Sequence, residues 1–179
     1  MAKVLVIGAS SQIGKQATGK LLELGHHVIA PVRSPEKLSD IDNSNLNVIE
    51  QDLEKDFSSH FEGVDVVVFT AGSGGNTGAD KTIMIDLWAA QKAVDYTKRA
   101  KVPKFIMVSS IGAGDPDSIQ GEMRPYLVAK HVADEYLINS GVKHIILRPG
   151  TLLNEPGTHL VRTDMPDNQD EAIIPREDV

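Results

Sequence analysis

Short apolar runs alternate with stripes of helical spacing along nearly the whole chain. The run KVLVIGA (3–9) ends in small residues and reads as a buried strand of a parallel sheet. Ile13, Ala17, Leu21 and Leu24 then recur at helical spacing from Gln12 onward, and Gly25 supplies the stop. HHVIAPVR (26–33) is a second strand, and the polar connection from Ser34 to Asn45 has room for a short helix. NLNVIEQD (45–52) is a third strand, and the strongly β-branched VDVVVFTAG (64–72) a fourth. Ile83, Leu87, Ala90 and Val94 mark a long helix from about Asp80 to Arg99. PKFIMVSS (103–110) is a fifth strand, Glu122 to Asn139 a further helix, and KHIILRPG (143–150) a sixth strand. Strands separated by helices throughout predict an α/β fold, a doubly wound parallel sheet in three layers, α/β/α. The 179 residues suit one domain, 1–179.

Such sheets bind ligands beyond the carboxyl ends of their strands. The six ends here are GASS, VRS, QD, TAGSGG, VSSIGAG and RPGT, mostly small, polar or glycine-rich, as a ligand rim would be. The segment that follows, about 151–179, is long enough to cover a substrate and too short for a second core. Its end, DEAIIPREDV, reads as a short strand, then a proline and acidic residues of the kind that open a helix. Two expectations follow: a sheet lacking its last helix, with an apolar face left uncovered, or simply a frayed tail.

Composition narrows the partners. Lys and Arg total 18 against 25 Asp and Glu, a net charge of −7 without a basic cluster, so no nucleic-acid partner is expected. The absence of cysteine excludes disulfides and thiol chemistry. No apolar run approaches membrane-spanning length and the N-terminus enters a strand at once, which points to a cytoplasmic chain with no membrane partner. The six histidines are scattered, and His26 and His27 diverge at a strand start, so no metal site is expected. Trp88 on the long helix suits packing or a subunit contact; monomer and homodimer are both compatible.

The first strand–helix turn carries the first candidate chemistry. Backbone N–H groups at a helix N-terminus, with the helix dipole behind them, hold phosphate. The frame is Gly8-x-x-Ser11-x-x-Gly14, with Ser10 where a G-x-G-x-x-G loop has its second glycine. Ser11 is small, caps helices well and offers a hydroxyl to phosphate; it fails only if its backbone must be left-handed. The second strand ends in Arg33 and no carboxylate, the choice suited to a ribose 2′-phosphate. Asp52 is placed either to accept from an adenine amino group or to cap the turn after it. Ala71, Gly72 and Ser73 would give a flat backbone against a ribose.

YLVAK puts Tyr126 and Lys130 four apart on one helix face. A phenol titrates near ~10, and the neighbouring ammonium is expected to lower that value and make it a usable acid or base. Ser109 and Ser110, at the end of the fifth strand, could polarise a substrate carbonyl beside it.

These segments together, GASSQIG, VRSPEKL, QDL, FTAG, VSSIGAG, YLVAK and RPGTLLNEPGT, run in order through nearly the full length. In them the chain resembles the short-chain dehydrogenase/reductase superfamily, in particular its small atypical NAD(P)-binding branch, sugar-epimerase-like or flavin-reductase-like, with a Rossmann fold. The resemblance implies that Gly8, Ser10, Ser11, Gln12, Ile13 and Gly14 hold the pyrophosphate, Arg33 the 2′-phosphate of NADP, and Asp52 with Leu53 the adenine. It implies that Ala71 to Ser73 and Lys130 meet the riboses, and that Pro149, Gly150, Thr151 and Leu152 line the nicotinamide. Tyr126 and Lys130 would be the catalytic pair, with Ser109 or Ser110 assisting. Asp86 is left without a role. The implied function is an NADP-dependent oxidoreductase, NADPH preferred over NADH, acting on a small carbonyl, quinone or flavin-like molecule. A non-catalytic NADP(H) sensor working through a protein partner, and an NAD(P)-dependent epimerase or dehydratase, are the alternatives.

Overall fold

The structure, a computed structural model, describes residues 1–75, 77–164 and 171–179. Six strands, β1 (Lys3–Ile7), β2 (His27–Val32), β3 (Leu46–Glu50), β4 (Val66–Phe69), β5 (Lys104–Val108) and β6 (His144–Leu147), form one parallel sheet in the order β3-β2-β1-β4-β5-β6. Each coincides with an apolar run of the sequence. The chain winds outward from β1 to β3, crosses back, and winds outward again from β4. The direction of winding across the sheet therefore reverses between β1 and β4, where Leu5 pairs with Ile29 on one side and Val67 on the other. Ligands of doubly wound sheets sit at that crevice.

Side-chain alternation splits the strands between two cores. Leu5, Ile7, Val67, Phe69, Phe105 and Met107 face one cluster. It is covered by α3 (Ala90–Ala100), the helical turns leading into it, and α4 (Arg124–Asn139). Val4, Val6, Val28, Ala30 and Val32 face the other cluster, against α1 (Gln12–Glu23). On the α1 side, Ile145 and Leu147 of the edge strand β6 remain 44% and 37% exposed.

Two elements differ from the sequence reading. The long helix runs from α2 (Ala79–Lys81) through a π-helical segment, Thr82–Ala89, into α3. The wider turn is of the kind that often marks functional sites, and here it buries Ile85, Asp86 and Ala89 together. After β6, a small parallel pair forms from β7 (Thr151–Leu153) and β8 (Ile173–Pro175), followed by a single 3₁₀ turn, Arg176–Asp178. No helix of the described residues is long and apolar enough to cross a membrane.

Candidate functional site

At the crevice β1 and β4 approach so closely that only glycine fits. Gly8 has φ +92°, and a Cβ there would lie 2.4 Å from the Ala71 amide nitrogen. A Cβ on Gly14 would lie 2.2 Å from the Gly8 carbonyl oxygen and 2.6 Å from Thr70 Oγ1. Thr70 ties the crossing together by donating to the carbonyls of Ile7 (3.2 Å) and Gly8 (3.1 Å). Ser11 is extended, φ −72° and ψ 162°, so the position does not require glycine. Its hydroxyl accepts from the Gly14 N–H at 3.0 Å and caps α1, while its own N–H donates to Gly8. The N–H groups of Gln12 and Ile13 carry no hydrogen bond among the described residues. They are orphan donors of a helix start, beside Ser10 and the Ser11 hydroxyl.

The ends of β2 and β3 lie on the same rim. Arg33 is exposed and forms no ion pair among the described residues. Asp52 caps its own turn, Oδ1 accepting from the Glu54 N–H at 2.9 Å, and Leu53 is buried beneath it. After β4, Ala71 is buried and Gly72 passes so close to Asp86 that a Cβ would lie 3.1 Å from Oδ1. The Ser73 N–H donates to Asp86 Oδ2 at 2.9 Å. Asp86 Oδ1 is fully enclosed with no hydrogen-bond partner among the described residues. Sequence reasoning left this residue unassigned, although it is the lone charge in the apolar stretch TIMIDLWA, which was the available signal.

Tyr126, Lys130 and Asp134 follow one another turn by turn along the inner face of α4. Lys130 is only 2% exposed, and its Nζ donates to the Val108 carbonyl at the end of β5, 2.9 Å away. Burial pushes its ammonium below the ordinary lysine value, while Asp86 and Asp134 pull it back up. The Tyr126 phenol moves opposite to the sequence expectation. Burial and then the Asp86 carboxylate raise it to about 12, the Ser110 hydroxyl pulling the other way. The buried lysine does not offset the loss of solvent around the phenol, so Tyr126 is a firmly protonated donor.

The two serines at the end of β5 point apart, as alternation requires. Ser110 lies beside the Tyr126 phenol. Ser109 is buried and donates to Asp134 Oδ2 at 2.8 Å, and Arg148 Nε donates to the same oxygen at 2.9 Å. Asp134 thus clamps the ends of β5 and β6. Its truncation leaves two donors without their shared acceptor, but Arg148, 36% exposed in its side chain, can turn to water. Asp134→Ala is accordingly expected to lower unfolding stability in urea by about 2–3 kcal/mol, below the range for a fully enclosed pair.

Beyond β6, the Ile111 N–H donates to the Pro149 carbonyl, holding that residue at the rim. Gly150 passes against Ala172, whose carbonyl oxygen would lie 1.9 Å from a Cβ. The Thr151 N–H donates to that carbonyl at 2.7 Å, starting the β7–β8 pair with Leu152 in its middle. Asn154 and Arg176, neither foreseen, complete the rim. Asn154 Oδ1 accepts from Gln12 Nε2 at 3.3 Å and from Arg176 Nη1 at 2.7 Å. No local pattern announces a contact between residues 142 apart in the chain.

Comparison with known proteins places this geometry. A sequence model of the NAD(P)H-binding family matches residues 8–179. The chain is 38% identical over 181 residues to the uncharacterized sugar epimerase YhfK of Bacillus subtilis, covering 99% of this chain and 84% of that protein. Its structure is similar to a putative NAD-dependent epimerase/dehydratase from Bacillus halodurans, with a TM-score of 0.92 and 41% identity, covering 99% of this chain and 84% of that one. It is also similar to the oxidoreductase ylbE from Lactococcus lactis, with a TM-score of 0.84 and 26% identity, covering 98% and 80%. The chain belongs to the NAD(P)H-binding family, Rossmann-fold proteins of the short-chain dehydrogenase/reductase type.

Proposed function

We propose that this protein is an NADP-dependent oxidoreductase acting on a small carbonyl, quinone or flavin-like substrate. One observation carries the reading: the Tyr126 phenol, the Ser110 hydroxyl and the buried charges of Lys130 and Asp86 converge beside the glycine crossing of β1 and β4. The residues fit a dinucleotide. Gly8 and Gly14 leave a cradle that a Cβ would fill, and Gln12 and Ile13 present free N–H groups to a diphosphate. Asp86 Oδ1 is an enclosed acceptor awaiting a donor.

When bound, the nicotinamide supplies or takes up a hydride. Tyr126 holds the proton that a reduced carbonyl oxygen needs, and Ser110 steadies the charge developing on that oxygen. Lys130 is a buried cation whose field stabilises that negative charge, and Asp86 balances the cation. Ser109, turned toward Asp134, keeps the end of β5 in place. Arg33 pairs with the 2′-phosphate, and Pro149 to Leu152 cover the nicotinamide side.

The relatives named for epimerase or dehydratase chemistry support a second reading, because the same groups would serve a reaction that returns the cofactor unchanged. Consumption of NADPH in proportion to product separates the two.

Calorimetric titration with NADPH and NADH tests the cofactor. The wild-type chain should prefer NADPH by tenfold or more, and Arg33→Ala should weaken NADPH about tenfold while leaving NADH unchanged. Equal affinities before and after the substitution would remove Arg33 from the site.

A further inference from the structure

Arg176, in the 3₁₀ turn after β8, reaches the rim at the start of α1. Its Nη1 donates to Asn154 Oδ1 at 2.7 Å and to the Leu152 carbonyl at 3.1 Å. The same Asn154 oxygen accepts from Gln12, the first residue of α1. The guanidinium is thereby linked through Asn154 to the side chain of the residue that starts α1, the helix end near which cations are disfavoured. No acidic residue in the first turn of α1 offsets it. Its acidic neighbours face elsewhere. Glu177 accepts from the Gly157 N–H at 2.7 Å, and Asp178 accepts from the N–H groups of Thr158 (2.8 Å) and His159 (3.0 Å). Those amide bonds hold the Asp178 carboxyl below the usual carboxylate range. The Arg176 Nε and Nη2 carry no hydrogen bond among the described residues.

Two positive features brought together, with the local carboxylates turned away, describe a seat for an anion. We propose that Arg176 is a cation for the diphosphate of the bound dinucleotide, aimed by Asn154 and opposite the Gln12 and Ile13 amides. This rests on the dinucleotide reading above and adds to it a physical consequence. The turn that supplies Arg176 also anchors residues 157–159 through Glu177 and Asp178, so the diphosphate contact and these rim residues share one support.

The test titrates wild-type protein, Arg176→Gln, Arg176→Lys and Asn154→Ala with NADP⁺ and with adenosine 2′-monophosphate, which keeps the 2′-phosphate and lacks the diphosphate. Arg176→Gln should weaken NADP⁺ about tenfold or more, as loss of a charge-assisted phosphate contact does. Arg176→Lys should recover part of the loss, Asn154→Ala should show an intermediate loss, and adenosine 2′-monophosphate should bind all four alike. Wild-type NADP⁺ affinity in Arg176→Gln overturns the assignment, and so does equal weakening of both ligands, which would make Arg176 a fold contact. A wild-type chain that binds neither ligand overturns the dinucleotide reading itself.

Discussion

Gly14→Ala should cost the protein about 3 kcal/mol of stability or more and remove nearly all dinucleotide binding. The added methyl would sit 2.2 Å from the Gly8 carbonyl oxygen and 2.6 Å from Thr70 Oγ1, and neither can swing aside. The Gly8 carbonyl accepts from both the Ser11 N–H and the Thr70 hydroxyl, and Gly8 itself is fixed at φ +92° against Ala71. The strain is relieved only by lifting α1 off β1, which carries the Gln12 and Ile13 N–H groups away from any diphosphate. Gly19 in the same helix supplies the control. A Cβ there meets nothing within 4 Å, so Gly19→Ala should stabilise by about 0.5–1 kcal/mol and leave binding intact. Urea unfolding and NADPH titration of the two variants decide the matter. If Gly14→Ala matched Gly19→Ala in both, the close approach of β1, α1 and β4 would not govern the site.

The sheet was legible because its central strands are apolar runs whose ends are mostly small or polar, and such runs survive without knowledge of their neighbours. The glycine crossing was legible in its ends and ambiguous in its middle, because the backbone angle at Ser11 is set by the fold and not by residue type. Tyr126 and Lys130 were legible as a pair, since a spacing of four fixes a shared helix face. The direction of the phenol's shift was not. It depends on how deeply α4 is buried and on Asp86, which comes from a helix forty residues earlier. The sequence left Ser109 and Ser110 as alternatives, and only the arrival of Asp134 and Arg148 beside Ser109 shows which hydroxyl is held in a structural bond. The acidic residues after Pro175 suggested a helix start. Instead Glu177 and Asp178 cap amides of a distant loop, an interaction with no sequence period.

Tyr126→Phe should lower kcat on a reducible substrate by roughly a hundredfold to ten-thousandfold and leave NADPH affinity within a few-fold, the pattern of a lost proton donor. Full activity in the variant would end the catalytic assignment. A second consequence needs no substrate. The phenol stands at about 12 in the folded chain and near ~10 when unfolded, so between those values the folded state holds the proton more tightly. Its contribution is complete below pH ~10 and is lost as pH rises through the folded value, by about 2–3 kcal/mol for a shift of that size. Lys130 acts with the opposite sign. Its ammonium is lowered by burial, so the unfolded state binds that proton more tightly and stability rises with pH toward the ordinary lysine value. The wild-type curve therefore mixes two limbs, and the Tyr126→Phe variant isolates one of them. It should lose less stability than wild type between pH ~10 and ~12 while following it at lower pH. Parallel curves over that range would mean that the phenol is not buried against Asp86, and that the proton it was assigned to deliver is held elsewhere.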